Sequence, residues 1–282
     1  MTPVTLDKGA SVETMELPKR PKSKPRAPRG TARQAFIWTC RIVLVVGFLG
    51  LWELGARRGW LDTTLFGQPS GVWKALGEYL PSERGWDSLT ATGSAILISF
   101  VIGSISGTLA GLLLGLSNTL DAIVGPFMAP INSVPRIALA PLFIAWFGLT
   151  MTSKVVLAVS IVFFILAENA RSAVRSVDAD QMMMAKVVGL KGWSLLWKVV
   201  LPSAVPTIFA GLRLTFTYSL LGVVASEMIA ATAGIGQDIV LYSSSYEINT
   251  VFAILLELMV IAVVVNWVFA IVERRLLRWQ EA

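Results

Sequence analysis

Charged and polar side chains inside apolar segments are the residues of this sequence that could do chemistry. Arg136 and Glu227 each fall within a long apolar stretch, where an ionisable group is costly and is commonly retained for a function. Asn132, Trp146 and Ser226 add polar or amphipathic groups to the same stretches. Together they could bind a polar solute, and Arg136 would favour an anion. Alternatively, Arg136 and Glu227 satisfy broken backbone, each other or a neighbouring helix.

Several kinds of catalytic site are excluded by composition. The chain of 282 residues has no histidine, and Cys40 is its one cysteine, so Ser-His-Asp triads, histidine-ligated metals and intrachain disulfides are impossible. It contains no Gly-Lys dipeptide, and therefore lacks the G-x-x-x-x-G-K-[ST] loop that cradles nucleotide phosphates. No span holds a clustered carboxylate pair. We therefore expect no enzymatic activity and no cofactor in this chain.

The segments that hold these residues are apolar enough to cross a membrane. Hydrophobic residues make up 55% of the chain and charged residues 15%, whereas soluble domains have about 25% charged residues. A span needs about 20 apolar residues, and the chain has room for about six. We predict an all-α, polytopic membrane protein. The predicted spans cover about 36–56, 92–116, a stretch from about 120, and about 153–170, 206–231 and 251–272.

Two spans carry signals of their own. The second has a glycine at every fourth position, which places four glycines near one helix face for close packing: Gly103, Gly107, Gly111 and Gly115. The third is interrupted by four prolines, at Pro126, Pro130, Pro135 and Pro141. Because proline kinks or breaks a helix, this span cannot be straight. Irregular backbone at membrane depth lies against protein or a water-filled cavity, so this span is a candidate pathway wall.

Basic residues indicate the topology. The 24 Lys and Arg exceed the 18 Asp and Glu, and they cluster beside apolar segments, which argues against a nucleic-acid-binding face. Three clusters fall on one side of six spans: the N-terminal tail, the insert between spans four and five, and the C-terminal end. The positive-inside rule therefore places both termini and the insert in the cytoplasm. Residues 1–33 are predicted to be a disordered basic tail, and residues 34–282 the membrane domain.

The insert, Arg171 to Pro202, is polar and amphipathic. Asp178 and Asp180 suit the start of a first short helix, and Gly189 can end that helix in a left-handed conformation. An apolar stripe follows at helical spacing, formed by Trp193, Leu196, Trp197 and Val200. We expect Leu201-Pro202 to stop the second helix. Such a helix either docks into a groove on a partner or lies on the membrane surface, and composition leaves both open.

The insert resembles the cytoplasmic loop of bacterial ABC importer permeases, E-A-A-x-x-x-G, nine residues, then I-x-L-P. Gly189 falls on the glycine and Val199, Leu201 and Pro202 on the final motif. The family's Glu and first Ala fall on Met183 and Met184, a departure that Asp180 or methionine packing could offset. The resemblance implies that the loop, about 178–202, docks onto an ATPase through Asp180, Met183, Met184, Ala185, Gly189, Trp193, Trp197, Leu201 and Pro202.

Further motifs are similar to the nitrate, sulfonate and taurine branch of these permeases. They occur in the expected order across about residues 40–280: Leu51-Trp-Glu-Leu54, Pro69-Ser70, Pro135-Arg-Ile-Ala-Leu-Ala-Pro141, Trp146-Phe-Gly148, Gly211-Leu-Arg213, Ser226-Glu-Met228, Gly234-Ile-Gly236 and Glu273-Arg-Arg-Leu-Leu-Arg-Trp279. The resemblance implies the type I ABC importer permease fold with a cytoplasmic coupling helix. It also implies a multi-pass protein of the bacterial inner membrane.

By the same resemblance, this chain forms the translocation path for a small organic anion of the nitrate, sulfonate or taurine type. Its implied partners are a P-loop ATPase dimer that holds ATP and Mg, a periplasmic or lipid-anchored solute-binding protein and a second permease copy. The substrate path is expected at Asn132, Arg136, Trp146, Ser226 and Glu227. The alternative is a secondary transporter or channel that works without an ATPase, with Glu227 and Glu257 in an ion relay. We expect structural pairing for Glu53 and Glu257.

Overall fold

The computed structural model describes residues 31–276, and all regular structure within that range is helical. In chain order the α-helices are α1 (Thr31–Arg57), α2 (Thr63–Phe66), α3 (Pro69–Tyr79), α4 (Glu83–Leu116), α5 (Asn118–Asn132), α6 (Ala140–Phe147), α7 (Met151–Arg175), α8 (Ala179–Val187), α9 (Gly192–Leu195), α10 (Leu201–Ile229), α11 (Ile235–Ser244) and α12 (Ile248–Leu276). A 3₁₀ turn, Arg136–Leu139, precedes α6, and a π-helical segment, Leu196–Val200, precedes α10.

The helices confirm the predicted membrane class. Among residues 31–276, five helical runs are long and apolar enough to span a bilayer, namely α1, α4, α7, the α9–α10 run and α12, and α5 with α6 makes a sixth, broken span. α4 begins before the predicted span because Ser82 caps it: its Oγ accepts from the Gly85 N–H at 3.0 Å. The spans were predicted from apolar residues alone, so the polar first turns of α4 fell outside the predicted span.

The chain divides at Gly50 into two compact units. The first unit includes the N-terminal part of α1, whose large apolar side chains are exposed, among them Phe36 and Leu44. Its predicted basic tail, residues 1–33, falls mainly outside the described residues, and α1 begins at Thr31, inside that segment. The second unit, from Leu51, contains all the elements described below.

The glycine face of α4 packs directly on α7, which confirms the predicted close packing of this face and identifies its partner. A Cβ built on Gly107 would lie 2.5 Å from the Phe163 carbonyl oxygen, and one on Gly111 would lie 2.3 Å from that of Ala167. Since neither position has room for a side chain, the two backbones meet at close range. α10 packs on both helices, and the core they share with α12 includes Ala158, Phe216, Leu220, Val223 and Ile254.

The third span is broken, as its prolines predict. α5 and the Arg136–Phe147 segment meet at 83°. Pro126 and Pro130 lie inside α5, so the break itself lies farther along, at Pro135 and the 3₁₀ turn.

One expectation about the insert is wrong. Leu201-Pro202 does not stop the second helix, because helical structure continues from Gly192 through Ile229. Pro202 sits in the first turn of α10, where a missing N–H is tolerated. The preceding π-helical turn, in which the Leu201 N–H donates to the Leu196 carbonyl, lets the chain pass the proline while remaining helical.

Candidate functional site

The segment between α7 and α10 is fixed by local hydrogen bonds. At its start, the Asp178 side chain accepts from the Asp180 N–H at 2.7 Å. At the end of α8, Gly189 has a φ of +85°, and the Leu190 N–H donates to the Ala185 carbonyl at 2.9 Å. This is a Schellman ending, which confirms the predicted role of Gly189. A Cβ there would meet nothing within 4 Å, so the left-handed backbone alone favours glycine.

This segment presents an apolar surface outward. The exposed fractions are 66% for Met183, 84% for Val187 and 72% for Trp193. Trp197 is also exposed, and its ring centroid lies 5.7 Å from that of Trp193. Val200, the last residue of the predicted stripe, is instead fully buried against the bundle. The stripe therefore divides into a buried anchor and an exposed tryptophan pair.

We call the exposed side chains of this segment the coupling surface; they belong to Met183, Met184, Val187, Val188, Trp193 and Trp197. Beside it lies a cavity of about 420 Å³ between α8 and the start of α10. Its lining brings together the predicted coupling residues Met184, Ala185 and Pro202. Leu201 is half-buried next to them, whereas Asp180 is exposed. Their contact with an ATPase stays a prediction.

The break in the third span is braced by Arg136. Its Nη1 donates to the Ser160 carbonyl on α7 at 2.7 Å, and its Nη2 donates to the Ile131 carbonyl at 3.2 Å. Ile131 would pair with the N–H of residue 135 in a regular helix, but Pro135 has none. The guanidinium carbon also lies 3.9 Å from the centroid of the Phe164 ring. Arg136 thus satisfies broken backbone, which is the alternative that the sequence left open.

Arg136 also lines a cavity of about 310 Å³ at this break. The cavity is bounded by Asn132, Val134, Arg136, Ile137, Ile161, Ile165 and Tyr218. Two of the predicted path residues, Asn132 and Arg136, are therefore brought together. Trp146 lies apart on α6, 63% exposed, with its ring edge against Phe143.

Glu227 lies elsewhere, in a buried ion pair at the end of the bundle where α7 begins. Its Oε1 is 3.0 Å from the Nζ of Lys154, and both residues are buried. Its Oε2 accepts from the Thr92 hydroxyl at 2.8 Å and from the Gly236 N–H at 3.0 Å. Lys154 also donates to the Ala233 carbonyl at 2.6 Å. The pair thus joins α4, α7 and α10 to the loop before α11.

Sequence reasoning missed the partners of Glu227. A signal existed in Gly234-Ile-Gly236, because a Cβ on Gly234 would lie 2.2 Å from the Glu227 Oε1. Lys154, a lone cation at the start of a span, was the second clue. Ser226 is buried, and its hydroxyl has no hydrogen-bond partner within residues 31–276. The role of Ser226 and Glu227 in a substrate path stays a prediction.

A second buried carboxylate, Asp238, lies at the same end. It accepts from the Tyr79 hydroxyl at 2.7 Å, from the Ser88 hydroxyl at 2.5 Å and from the Arg84 Nε at 2.8 Å. Burial, then the hydrogen bond to Asp238, raises the pKa of Tyr79 well above its usual range, so the hydroxyl keeps its proton. The cluster fixes α3, α4 and α11 together.

Ion pairs also join α5 and α7 at the opposite end of α7. Asp121 pairs with Arg171, and its other oxygen lies 2.7 Å from the Nη2 of Arg175. Arg171 also contacts Glu168 at 3.1 Å. In the sequence, these arginines indicated only the membrane topology. No motif or spacing marked Asp121 as their partner.

Structural pairing was expected for Glu53 and Glu257, and only the first shows it. Glu53 accepts from the Arg57 Nε at 2.6 Å and from the Ser70 N–H at 3.0 Å. Glu257 is buried on α12, and its Oε2 meets no hydrogen-bond donor in the described part of the chain. Among residues 31–276 no cationic side chain pairs with Glu257, so its structural pairing stays a prediction.

Comparisons with known proteins agree with this architecture. Residues 88–278 match the family described as binding-protein-dependent transport system inner membrane component. The putative aliphatic sulfonates transport permease SsuC of Escherichia coli K12 is 35% identical over 202 residues, covering 71% of this chain and 77% of that protein. The riboflavin transport system permease RibX of Chloroflexus aurantiacus is 31% identical over 256 residues, covering 90% and 96%.

A solved structure has the same fold. A chain from an inward-facing structure of the MetNI methionine ABC transporter superposes with a TM-score of 0.60 at 17% identity, covering 67% of this chain and 94% of that one. The helices and their order thus match those of ABC importer permeases. With the family match over most of its length, the chain belongs to the binding-protein-dependent transport system inner membrane components and is a multi-pass ABC importer permease of the branch that includes the sulfonate permeases.

Proposed function

We propose that this permease forms the translocation path for a small organic anion and that segment 178–202 docks onto a separate ATPase in the cytoplasm. The observation that carries the proposal is the coupling surface, a set of exposed methionine, valine and tryptophan side chains on a segment with fixed backbone geometry. An apolar patch of this kind marks an interaction site. A helix presented in this way fits a groove on a partner protein.

The connections of the segment explain how docking would move the pathway. α8 follows α7 after a short turn, and the π-helical segment runs directly into α10. Val200, fully buried, ties the segment to the bundle. A force on the coupling surface would therefore reach two core helices, as a rocking transition between two states requires.

The remaining partners follow from the same proposal. ATP and Mg bind the ATPase dimer, which performs the hydrolysis, and this chain holds no cofactor. A second permease copy completes the pathway. A solute-binding protein delivers the substrate at the end of the bundle opposite the coupling surface. The likeness to a sulfonate permease favours a sulfonate as the substrate, although the likeness to a riboflavin permease shows that related chains serve other solutes.

Co-purification tests the docking proposal. The permease, tagged at one terminus, is expressed with its cognate P-loop ATPase, and the complex is assayed for vanadate-sensitive ATP hydrolysis. Trp197→Asp is expected to reduce ATPase recovery at least about tenfold, because a carboxylate would lose its hydration inside an apolar groove. Trp60→Asp is the matched control, since Trp60 is 71% exposed and lies outside segment 178–202.

The two variants distinguish docking onto an ATPase from attachment to the membrane surface. Loss of the ATPase with Trp197→Asp and its retention with Trp60→Asp support docking. Full recovery with Trp197→Asp would instead favour a segment that lies on the membrane surface. If the wild-type permease purifies without any ATPase, the result would favour the alternative, a secondary transporter or channel that works without an ATPase.

A further inference from the structure

We propose that the cavity at the break of the third span is an anion-binding subsite, in which Arg136 binds the sulfonate or carboxylate group of a small organic solute and Asn132 and Tyr218 contact it. The inference rests on the proposed function, because it places a substrate-class contact in the translocation path. It adds Tyr218, on α10, to the residues that the sequence indicated.

Charge balance is the first argument. Lys154 and Arg171 each have a carboxylate oxygen within 4 Å, whereas Arg136 and Arg213 have none among residues 31–276. Arg136 differs from Arg213 in that it lines this cavity. Arginine does not give up its proton in proteins, so the charge of Arg136 persists at membrane depth. Backbone carbonyls satisfy hydrogen bonds without neutralising a cation. An anion in the adjoining cavity would supply the missing countercharge.

The second argument is the fixed position of the guanidinium. Bonds to the Ser160 and Ile131 carbonyls and the ring of Phe164 hold it in place. These bonds use two of its five N–H groups, which leaves three for a ligand. Because the group is already ordered, binding an anion would cost little further side-chain entropy.

The third argument is the lining of the cavity. The Asn132 amide and the Tyr218 hydroxyl form no hydrogen bond within the described chain, so both are available to a ligand. The remaining walls are aliphatic, with Ile161 and Ile165 from α7. A volume of about 310 Å³ suits a ligand of few atoms. A cavity with one cationic wall and apolar sides is complementary to a ligand that has an anionic group and a short carbon chain.

Saturation-transfer NMR on the permease–ATPase complex in phosphatidylcholine nanodiscs tests the subsite. The probes are ethanesulfonate, propionate and the uncharged ethyl methyl sulfone. We expect transfer to at least one of the two anions and none to the sulfone. Arg136→Gln should weaken anion binding about tenfold or more, because it removes a charge-assisted contact. Asn132→Ala and Tyr218→Phe, which leave the Arg136 brace intact, should each weaken it severalfold.

Arg213→Gln is the matched control. Arg213 is also a cation inside a span, and its Nε bonds Asn266 at 3.1 Å, outside the cavity lining. Anion binding should survive its removal. Equal anion signals in wild type and all three cavity variants would overturn the subsite, as would an equal loss with Arg213→Gln.

Further outcomes of the same experiment distinguish failure of the subsite from failure of the proposed function. A complex that forms and hydrolyses ATP but transfers saturation to neither anion would overturn the subsite alone, leaving the proposed function in place. If no ATPase complex forms, the proposed function fails, and the same probes on the permease decide the subsite. A signal abolished by phosphatidylglycerol in the nanodisc would assign the cavity to a lipid phosphate and overturn the solute subsite.

Discussion

The charges of Lys154, Glu227 and the half-buried Arg136 are of two kinds, which differ in how they are compensated. Glu227 and Lys154 neutralise each other and make further hydrogen bonds to Thr92 and to the loop before α11. Within residues 31–276, Arg136 is held by two backbone carbonyls and an aromatic ring. The charges of the Lys154–Glu227 pair are therefore compensated within the fold, whereas the charge of Arg136 has no countercharge in the described chain.

Removing one member of the Lys154–Glu227 pair should therefore destabilise the fold. Glu227→Gln leaves the Lys154 ammonium buried without a countercharge, at a cost of about 3–5 kcal/mol. The expected result is a clearly lower unfolding midpoint of the detergent-purified protein, measured by thermal denaturation. The double variant Lys154→Met, Glu227→Leu should recover much of the loss, because no unpaired charge remains.

Glu78→Gln is the matched control for that experiment. Glu78 pairs with Lys74 at 3.7 Å, but both side chains are largely exposed. Water already solvates these charges, so no measurable change is expected. A midpoint for Glu227→Gln that equals the Glu78→Gln midpoint would show that the buried pair does not stabilise the protein.

The sequence could identify Arg136 and Glu227 as unusual because an ionisable residue in an apolar stretch is visible without coordinates. It could not identify their partners. Lys154 and Thr92 are 73 and 135 residues from Glu227, and no periodicity relates such distant positions. The same reasoning explains why Asp238, with its buried cluster, was missed.

At the scale of elements, the close packing of the glycine face of α4 was the most predictable feature, although its partner, α7, was not. Glycines at every fourth position line one face of a helix, and that face does meet its neighbour at backbone distance. The π-helical turn before α10 was not predictable. Proline commonly ends a helix, but here a wider turn accommodates Pro202 in the first turn of a continuing helix.

The contact between α4 and α7 can be tested with one methyl group. Gly111→Ala would place a Cβ 2.3 Å from the Ala167 carbonyl oxygen, so the helices must separate. Overpacking of this kind costs about 1–3 kcal/mol. We expect a lower thermal unfolding midpoint for Gly111→Ala in detergent.

Gly93→Ala, on the same helix, controls for helix propensity. A Cβ on Gly93 would meet nothing within 4 Å, and alanine is the better helix former, so stability should stay equal or rise. A Gly111→Ala protein as stable as Gly93→Ala would contradict the close approach of α4 and α7.

At the scale of the whole molecule, the charge distribution predicts how the bundle is oriented. The coupling surface and the arginines at the end of α7 should face the cytoplasm, and the Lys154–Glu227 pair the opposite side. The order of six spans could be predicted from apolarity and proline alone. Their exact lengths could not, since polar turns such as the start of α4 extend a helix past its apolar stretch.

Cysteine labelling measures this orientation. Cys40→Ser removes the one native thiol, and Val187→Cys then adds a thiol at a position that is 84% exposed. A membrane-impermeant maleimide should label it in inverted vesicles but not in spheroplasts. Trp60→Cys in the same background should show the reverse pattern, because Trp60 lies after one span. Labelling of Val187→Cys in intact spheroplasts would invert the proposed topology.

The distance along the chain between Lys154 and Glu227 also bears on biosynthesis. Lys154 leaves the ribosome 73 residues before its partner, about 4–15 s earlier at common rates of translation. During that interval α7 enters the bilayer with an uncompensated ammonium. Its position near the first turn of the helix lets the side chain extend toward the membrane surface. The arrival of α10 brings Glu227 to the ammonium, so insertion of the fifth span completes a contact that the earlier helices had to leave open.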